Sequence, residues 1–152
     1  MCIRDRSGDG QDLPGWLKEL DALGLTALGS RIWPPVTDPS WEIDSALLPE
    51  SGELVINKMS AVTFATTGLE QRLRNQGINA VVVTGVASDV CVGTTAREAA
   101  DRGFHSIMVS DACTTLSEAM HQASLDTFNI ALGSVRTSAE VVELLQRVQE
   151  AA

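Results

Sequence analysis

Cys91 is the residue of this sequence whose surroundings best fit a nucleophile. It follows a run of β-branched apolar residues and a glycine-containing turn, and it begins a segment rich in small residues that is typical of a helix. Unpaired backbone N–H groups in the first turn of a helix favour a thiolate over a thiol. Lys58 follows Asn57 at the end of another apolar run, Leu54 to Ile56, and is a candidate cation for that thiolate. The sequence therefore predicts nucleophilic chemistry supported by a lysine.

The elements that must position these two side chains repeat from Glu53 onward. Each of four units has a short apolar run, a polar turn and a segment of helical period. The predicted strands are Leu54 to Ile56, the beginning of Ala80 to Gly103, Ser106 to Ser110, and a strand near Asn129 to Val135. The predicted helices run from Thr67 to near Gly77, from Cys91 to Gly103, from about Leu116, and along an apolar stripe of Val141, Leu144, Leu145 and Val148.

Two of these helices have a capping-box spacing at their start. Thr67 is followed three residues later by Glu70, and Thr115 by Glu118. In a capping box the hydroxyl accepts a hydrogen bond from a backbone N–H in the first turn, and the carboxylate accepts one from the N–H of the cap residue. The spacing predicts a helix start at both places.

Strands that alternate with helices of this length are joined by crossover connections, which produce a mostly parallel sheet with helices on its faces. The sequence predicts an α/β fold, three-layer α/β/α and Rossmann-like, in a single domain of 152 residues. Residues 53–150 form its core, and residues 11–52 hold a partial N-terminal part with a covering loop from Ile32 to Trp41. Residues 1–10 show no pattern and are expected to be unstructured. Ligands of such sheets lie outside the carboxyl ends of the strands, where Lys58 and Cys91 are expected to converge.

The composition disfavours several classes of function. The 20 acidic residues against 11 Lys and Arg give a net charge of −9, which argues against a nucleic-acid partner. No apolar run approaches about 18 residues, so no membrane span is expected. Three cysteines without CxxC spacing and two distant histidines support neither a disulfide framework nor a metal site. With no secretory segment, a reducing, cytoplasmic compartment is the default expectation.

The stretch from Val83 to Val92, VTGVASDVCV, resembles the nucleophile segment of the isochorismatase-like cysteine hydrolase superfamily. That superfamily includes isochorismatases, nicotinamidases, N-carbamoylsarcosine amidases, biuret hydrolases and ureidoacrylate hydrolases. The resemblance covers roughly Trp41 to Leu145, and its combined spacing is far more specific than any one piece. Further matching residues are Val55-Ile56-Asn57-Lys58 with Phe64, Thr67-Gly68-Leu69-Glu70, Thr95, Arg97, Ala99 and Asp101-Arg102-Gly103, and Val109-Ser110-Asp111-Ala112-Cys113.

The resemblance implies roles for individual residues. Cys91 would attack a carbonyl carbon and form a thioester, and Lys58 would support the thiolate and the charged intermediate. A cis peptide bond is implied between Val86 and Ala87, with an oxyanion hole built from the backbone N–H groups of Ala87 and Cys91. The implied substrate is a small molecule with an amide or carbamoyl C–N bond, hydrolysed without a cofactor or metal. A homo-oligomer, dimer or tetramer, is implied as well.

The third member of the superfamily's triad, an aspartate that closes the first strand, finds no match. Asp5, Asp9 and Asp12 are the nearby candidates, but none follows an apolar strand, and Asp5 lies between two arginines. The opening MCIRDR also resembles translated adapter sequence, which implies that the first few residues are an artefact. We therefore expect that the first strand and its aspartate lie outside this chain. The chain would then be an N-terminally truncated member of the superfamily. Without that general acid and base, the chain alone is expected to be a weak or inactive catalyst.

Other functions stay open at this stage. A catalytically inactive isochorismatase-like scaffold or assembly domain is consistent with the absent aspartate. An isochorismatase-type vinyl ether hydrolase is a second alternative, but that reaction needs no covalent thioester, so Cys91 together with Lys58 favours an amide or carbamoyl substrate. A metal-binding nicotinamidase is disfavoured, since no histidine precedes His105. A nucleotide-binding flavodoxin-like module ranks last, because no Gly-rich phosphate loop follows any strand.

Five neighbouring residues also have structural interpretations. Phe64 is either a wall of the substrate pocket or part of the core. Asp111 is expected to cap a turn and Cys113 to pack as a small apolar residue. His105 and His121 are expected on the surface or on a helix face, because their separation does not suit a metal site.

Overall fold

The computed structural model describes the backbone of residues 2–5, together with residues 42–58 and 60–150. The chain divides into two compact units, residues 1–60 and residues 61–152, so the single domain stays a prediction. The strands are parallel and helices flank them, which confirms the predicted α/β class. The predicted covering loop from Ile32 to Trp41 lies outside the described residues. Within the described ranges, no helix combines the length and the apolarity needed to cross a bilayer.

The first unit contains two parallel strands. Strand β1, Cys2–Asp5, pairs with strand β2, Val55–Lys58, and the register sets Asp5 opposite Lys58. The prediction that residues 1–10 are unstructured and hold no strand is therefore wrong for residues 2–5. Strand β1 has only four residues, and β2 supplies the backbone partners that it needs. Because such pairing does not require alternating apolar residues, the sequence of β1 shows no strand pattern.

The second unit is a three-stranded parallel sheet with its connecting helices. Strand β4 lies in the centre, between β3 and β5, and both pairs are parallel. Helix α1 precedes β3 in the chain, α2 and α3 connect successive strands, and α4 follows β5. The bounds are α1 Leu69–Asn75, β3 Ala80–Val86, α2 Cys91–Asp101, β4 His105–Thr114, α3 Glu118–Ala131, β5 Ser134–Arg136 and α4 Ser138–Glu150.

The last predicted strand begins too early. The sequence predicts a strand near Asn129 to Val135, but residues up to Ala131 belong to α3, and β5 covers only Ser134–Arg136. A short apolar run fits a buried strand and a helix end equally well. Here the helix is closed because the N–H groups of Leu132 and Gly133 both donate to the carbonyl oxygen of Phe128, at 3.0 and 3.2 Å.

The described core joins α2 and α3 to the central strand. Its buried members are Val92 and Ala96 of α2, Met108 of β4, and Leu125 and Phe128 of α3. The small residues of α2 permit the close packing on a sheet that the sequence predicts.

The apolar stripe of α4 is mostly exposed in the described part of the chain. Val141 is buried, whereas Leu144, Leu145 and Val148 are exposed. The helix itself is present as predicted, over Ser138–Glu150.

Candidate active site

Cys91 is the first residue of α2 and is half-buried. Strand β3 ends at Val86, the peptide bond between Val86 and Ala87 is cis, and four residues of turn lead to Cys91. Gly85 has a φ angle of 114°, a backbone conformation that residues other than glycine rarely adopt. The strand end and the helix start therefore place the Cys91 thiol in the first turn of an 11-residue helix.

The turn before Cys91 is closed by its own backbone. The carbonyl oxygen of Ala87 accepts hydrogen bonds from the N–H groups of Val90 and Val92, at 3.1 and 3.0 Å. The carbonyl oxygen of Val90 accepts from the N–H of Thr94 at 2.8 Å, so the turn continues directly into the helix. The residues expected to form the oxyanion hole, Ala87 and Cys91, thus belong to one compact turn.

Ser88 ties this turn to two other elements through all three of its polar groups. Its backbone N–H donates to the carbonyl oxygen of Thr114 in β4 at 2.9 Å. A hydrogen bond of 2.7 Å joins its hydroxyl oxygen to Nδ1 of His121, and its carbonyl oxygen accepts from the hydroxyl of Ser124 at 2.8 Å. Ser88 has no exposed surface. The turn is therefore held from outside by β4 and by one face of α3.

Gly93 permits the close approach of α2 to this turn. A Cβ atom at position 93 would lie 2.4 Å from the carbonyl oxygen of Ser88, well inside van der Waals contact. Only a glycine fits there without a shift of the backbone.

Thr115 contributes to the same turn and does not cap a helix. Its hydroxyl donates to Oδ1 of Asp89 at 2.5 Å. Helix α3 is capped instead by Ser117, whose hydroxyl accepts from the N–H of Met120 at 3.3 Å. The predicted Thr115–Glu118 capping box is therefore wrong, because the helix begins at Glu118 and Ser117 is its cap.

Lys58 is the last residue of β2 and is buried. Its Nζ donates to the carbonyl oxygen of Ser60 at 2.6 Å. Lys58 belongs to the first unit and Cys91 to the second, so their convergence stays a prediction. The register of the first unit adds a residue that sequence reasoning set aside, Asp5, which ends β1 opposite Lys58. Because arginines flank Asp5, the sequence does not indicate a strand there. Only the pairing of β1 with β2 could have indicated this strand.

Phe64 packs against other side chains of the second unit. It is 5% exposed, its ring centroid lies 5.7 Å from that of Phe104, and the guanidinium of Arg102 lies 5.3 Å from its ring centre. These contacts favour the core interpretation of Phe64. A cation over an aromatic face adds to the packing of the ring.

Glu98, near the end of α2, holds the segment that carries Phe64. Its Oε2 accepts hydrogen bonds from the N–H groups of Thr63 and Phe64, at 2.8 and 3.0 Å, and its Oε1 accepts from the N–H of Ala65 at 3.2 Å. A further hydrogen bond of 2.8 Å joins the hydroxyls of Thr63 and Thr95. Sequence reasoning could not predict this arrangement, because a glutamate inside a helix usually faces solvent.

The predicted Thr67–Glu70 capping box is also wrong. The hydroxyl of Thr67 does accept from the N–H of Leu69 at 3.2 Å, but it donates to the carbonyl oxygen of Thr63 at 2.9 Å. Glu70 turns to cations, since its two oxygens lie 2.9 Å from Nε of Arg74 and 3.2 Å from Nε of Arg102.

The remaining candidates have structural roles. Burial raises the pKa of the Cys113 thiol, which packs against the core and donates to the carbonyl oxygen of Val83 at 3.7 Å. Asp111 caps α4, since its two oxygens accept from the N–H and the hydroxyl of Ser138, each at 2.7 Å. His105 begins β4 and is exposed. In the ranges that the structure describes, no three His, Cys, Asp or Glu side chains are grouped to hold a metal ion.

Known proteins resemble this chain in sequence and in fold. The model of the isochorismatase domain matches residues 26–140. YwoC of Bacillus subtilis (strain 168), an uncharacterized isochorismatase family protein, is 34% identical over 94 residues, which cover 62% of this chain and 50% of YwoC. The ureidoacrylate amidohydrolase RutB of Methylobacterium radiotolerans is 34% identical over 99 residues, covering 63% of this chain and 38% of RutB. A crystal structure of a cysteine hydrolase from Pseudomonas syringae pv. phaseolicola 1448A gives a TM-score of 0.78 at 28% identity, covering 99% of this chain and 71% of that chain. The chain thus spans half of the length of YwoC and less of RutB.

Proposed function

Because this chain belongs to the isochorismatase family, we propose that it is a cysteine hydrolase of small molecules and that it cleaves an amide or ureido C–N bond. The observation that carries the proposal is the position of Cys91, which follows β3 and a compact turn and begins α2. Similarity to a ureidoacrylate amidohydrolase supports this class of bond. A cytoplasmic location and a homo-oligomer stay predictions from the sequence.

The first step of the proposed reaction is acylation of Cys91. The thiolate sulfur attacks the carbonyl carbon, an S–C bond forms, and the C=O electron pair moves to the oxygen. The N–H groups of Ala87 and Cys91 would donate to that oxyanion, and donors fixed in advance stabilise a transition state best. The intermediate then expels the amine, which takes up a proton, and leaves a thioester on Cys91.

The second step returns the enzyme. A water molecule gives a proton to the general base as its oxygen attacks the thioester carbonyl, the S–C bond breaks, and the carboxylic acid and the Cys91 thiolate are released. Lys58, at the end of β2, is proposed to stabilise the negative charge on the thiolate and on the intermediates. For an amide the leaving amine must be protonated, so the reaction also needs a general acid.

The general acid and base is the part of the site with two candidates. The resemblance to the superfamily implies an aspartate for this role, but no matching sequence motif identifies it. The register of β1 offers Asp5, which lies opposite Lys58 along the backbone. General acid and base catalysis contributes roughly 10²- to 10⁴-fold, so Asp5→Asn distinguishes these two candidates by the size of the rate loss on an amide.

Two substrates that differ in leaving group test the proposal. With p-nitrophenyl acetate, whose leaving group needs no proton, intact-mass spectrometry should find one acetyl group on the wild type and none on Cys91→Ala. Cys113→Ala is the matched control and should be acetylated like the wild type, since burial raises the pKa of that thiol. Equal acetylation of Cys91→Ala and the wild type would remove Cys91 from the proposed role.

A panel of small primary amides and ureido acids then tests the bond, with ammonia release as the readout. Loss of activity in Cys91→Ala together with hydrolysis by the wild type supports the amidohydrolase. If Asp5→Asn keeps the wild-type rate on the amide, the general acid is not Asp5. If it slows the amide and spares the activated ester, Asp5 has that role. Acetylation of Cys91 without hydrolysis of any C–N bond would favour the inactive scaffold.

A further inference from the structure

We propose that His121 is a positioning residue that fixes the turn before Cys91 through its hydrogen bond to Ser88. The inference rests on the proposed role of Cys91 as the nucleophile. Nothing in the sequence indicated it, because 33 residues separate Ser88 from His121.

Ser88 can transmit such an effect because it is buried and its three polar groups are bonded to neighbouring elements. Of its three partners, β4 binds the N–H, while α3 supplies both His121 for the hydroxyl and Ser124 for the carbonyl oxygen. His121 and Ser124 are three residues apart and therefore lie on one face of α3. That face holds the turn at two atoms, one on the side chain and one on the backbone of Ser88.

The turn in question carries the groups that the proposed chemistry needs in fixed positions. Ser88 directly follows Ala87, whose N–H is a proposed oxyanion donor, and Cys91 begins α2 three residues later. A displacement of about 1 Å at such a site can cost about 100-fold in rate. Unpaired N–H groups in the first turn of a helix favour a thiolate, so a shift of this turn would also change the stabilisation of the Cys91 thiolate.

The chemistry of His121 suits this role. Its ring is half-buried, and Nδ1 lies 2.7 Å from the hydroxyl oxygen of Ser88. Loss of one partner leaves a buried hydroxyl unsatisfied, which is more costly than loss of a bond at the surface. An asparagine at position 121 can place an amide group near the position of Nδ1, whereas an alanine cannot.

The test uses alkylation of Cys91 by iodoacetamide, which needs no substrate, with the modified peptide identified by mass spectrometry. We expect His121→Ala and Ser88→Ala each to slow alkylation about threefold or more and to move the midpoint of its pH profile upward, because less thiolate is present. His121→Asn should restore the alkylation rate to within about twofold of the wild type, because the asparagine amide can form a hydrogen bond to Ser88 from the position of Nδ1. His105→Ala is the control, since that histidine is exposed at the start of β4, and it should not change the rate.

A double-mutant cycle shows whether the effect passes through Ser88. If it does, Ser88→Ala/His121→Ala alkylates no more slowly than either single variant, because the same bond is already lost. Wild-type alkylation rates in both His121→Ala and Ser88→Ala, with the fold verified by circular dichroism, would overturn the inference. So would multiplied effects in the double variant. If Cys91 of the wild type alkylates but never accepts an acyl group, the proposed function fails and the alkylation comparison still decides the role of His121.

Discussion

The two ends of helix α2 are bound to their neighbours by different chemistry. At its beginning, hydroxyl groups make the hydrogen bonds that hold the turn: that of Ser88 is bonded to His121, that of Ser124 donates to Ser88, and that of Thr115 donates to Asp89. Near its end, charged groups hold the segment before α1. There Glu98 accepts three backbone N–H groups, and Arg102 lies 3.5 Å from Glu98 and over the ring of Phe64.

This difference follows from what each end must do. The beginning of the helix presents the thiol and the proposed oxyanion donors, and short bonds between small buried groups leave little freedom of position. The other end must bind a segment some 33 to 35 residues away in sequence, and a carboxylate can accept several N–H groups at once. We therefore expect changes at the beginning to alter reactivity as well as stability, and changes at the end to alter stability alone.

The largest effect is expected for Gly93→Ala. The new Cβ would lie 2.4 Å from the carbonyl oxygen of Ser88, so α2 and the turn must move apart. Overpacking of this kind should lower the free energy of unfolding by about 3 kcal/mol, measured by urea denaturation. Alkylation of Cys91 should slow in the same variant, because the turn itself is displaced.

Gly68→Ala is the matched control for this substitution. Gly68 precedes α1, and no atom outside its immediate neighbours lies within 4 Å of its ideal Cβ. Its stability should change by less than about 1 kcal/mol, and the alkylation rate should not change. A Gly93→Ala variant with wild-type stability and wild-type reactivity of Cys91 would show that this contact does not constrain the turn.

Glu98→Gln should have the next largest effect, about 2 kcal/mol in the free energy of unfolding. An amide keeps the shape of the side chain but replaces one of two accepting oxygens with an NH₂ group that faces N–H donors. Glu70→Gln is the control. This variant loses the ion pairs with Arg74 and Arg102 in the same network, but Glu70, unlike Glu98, does not bind the backbone of the segment before α1. Half-exposed ion pairs contribute about 1 kcal/mol or less to the free energy of unfolding.

The reactivity of Cys91 in these two variants shows whether the two ends of α2 act independently. If Glu98 serves stability alone, Glu98→Gln alkylates at Cys91 like the wild type in conditions where both are folded. A slower alkylation in Glu98→Gln than in Glu70→Gln would mean that the two ends of α2 are coupled. That result would contradict the separation of roles argued above.

The sequence predicted the segment around Cys91 well because its signals are local. An apolar run, a glycine and a helix of small residues follow one another between Ala80 and Gly103, and the structure has β3, the turn and α2 there. The partners of the turn could not be predicted. Ser88 and His121 meet only because α3 packs on the same sheet as α2, and a serine or a histidine alone has many roles.

The capping boxes show the same limit at the scale of single hydrogen bonds. The spacing at Thr67 and Thr115 predicted two boxes, yet the carboxylate of Glu70 binds Arg74 and Arg102, and Ser117 instead of Thr115 caps α3. A reciprocal box does form at the start of α4, where Thr137 N–H donates to Glu140 at 2.7 Å and Glu140 N–H donates to Thr137 at 3.3 Å. The pattern is therefore necessary for a box but cannot exclude competing partners that the fold brings near.

The smallest expected effect concerns Asp111, which repeats the chemistry of Glu98 at the surface. Its carboxylate accepts from the hydroxyl and the N–H of Ser138, and these two bonds, the hydroxyl first, lower its pKa from the ordinary value of 3.8. A carboxyl whose pKa is lower in the folded state stabilises the fold fully above its unfolded pKa and loses this contribution as the pH falls through the folded one. Asp111→Asn should therefore lower the urea midpoint near neutral pH, and the difference from the wild type should shrink well below pH 3.8. Ser138→Ala, which keeps the carboxylate and the N–H bond, should show a smaller difference with the same trend. A difference that stays constant with pH would mean that the charge of Asp111 contributes nothing to the stability of the fold. A carboxylate that accepts hydrogen bonds from backbone N–H groups would then stabilise this fold only where it is shielded from water, as at Glu98.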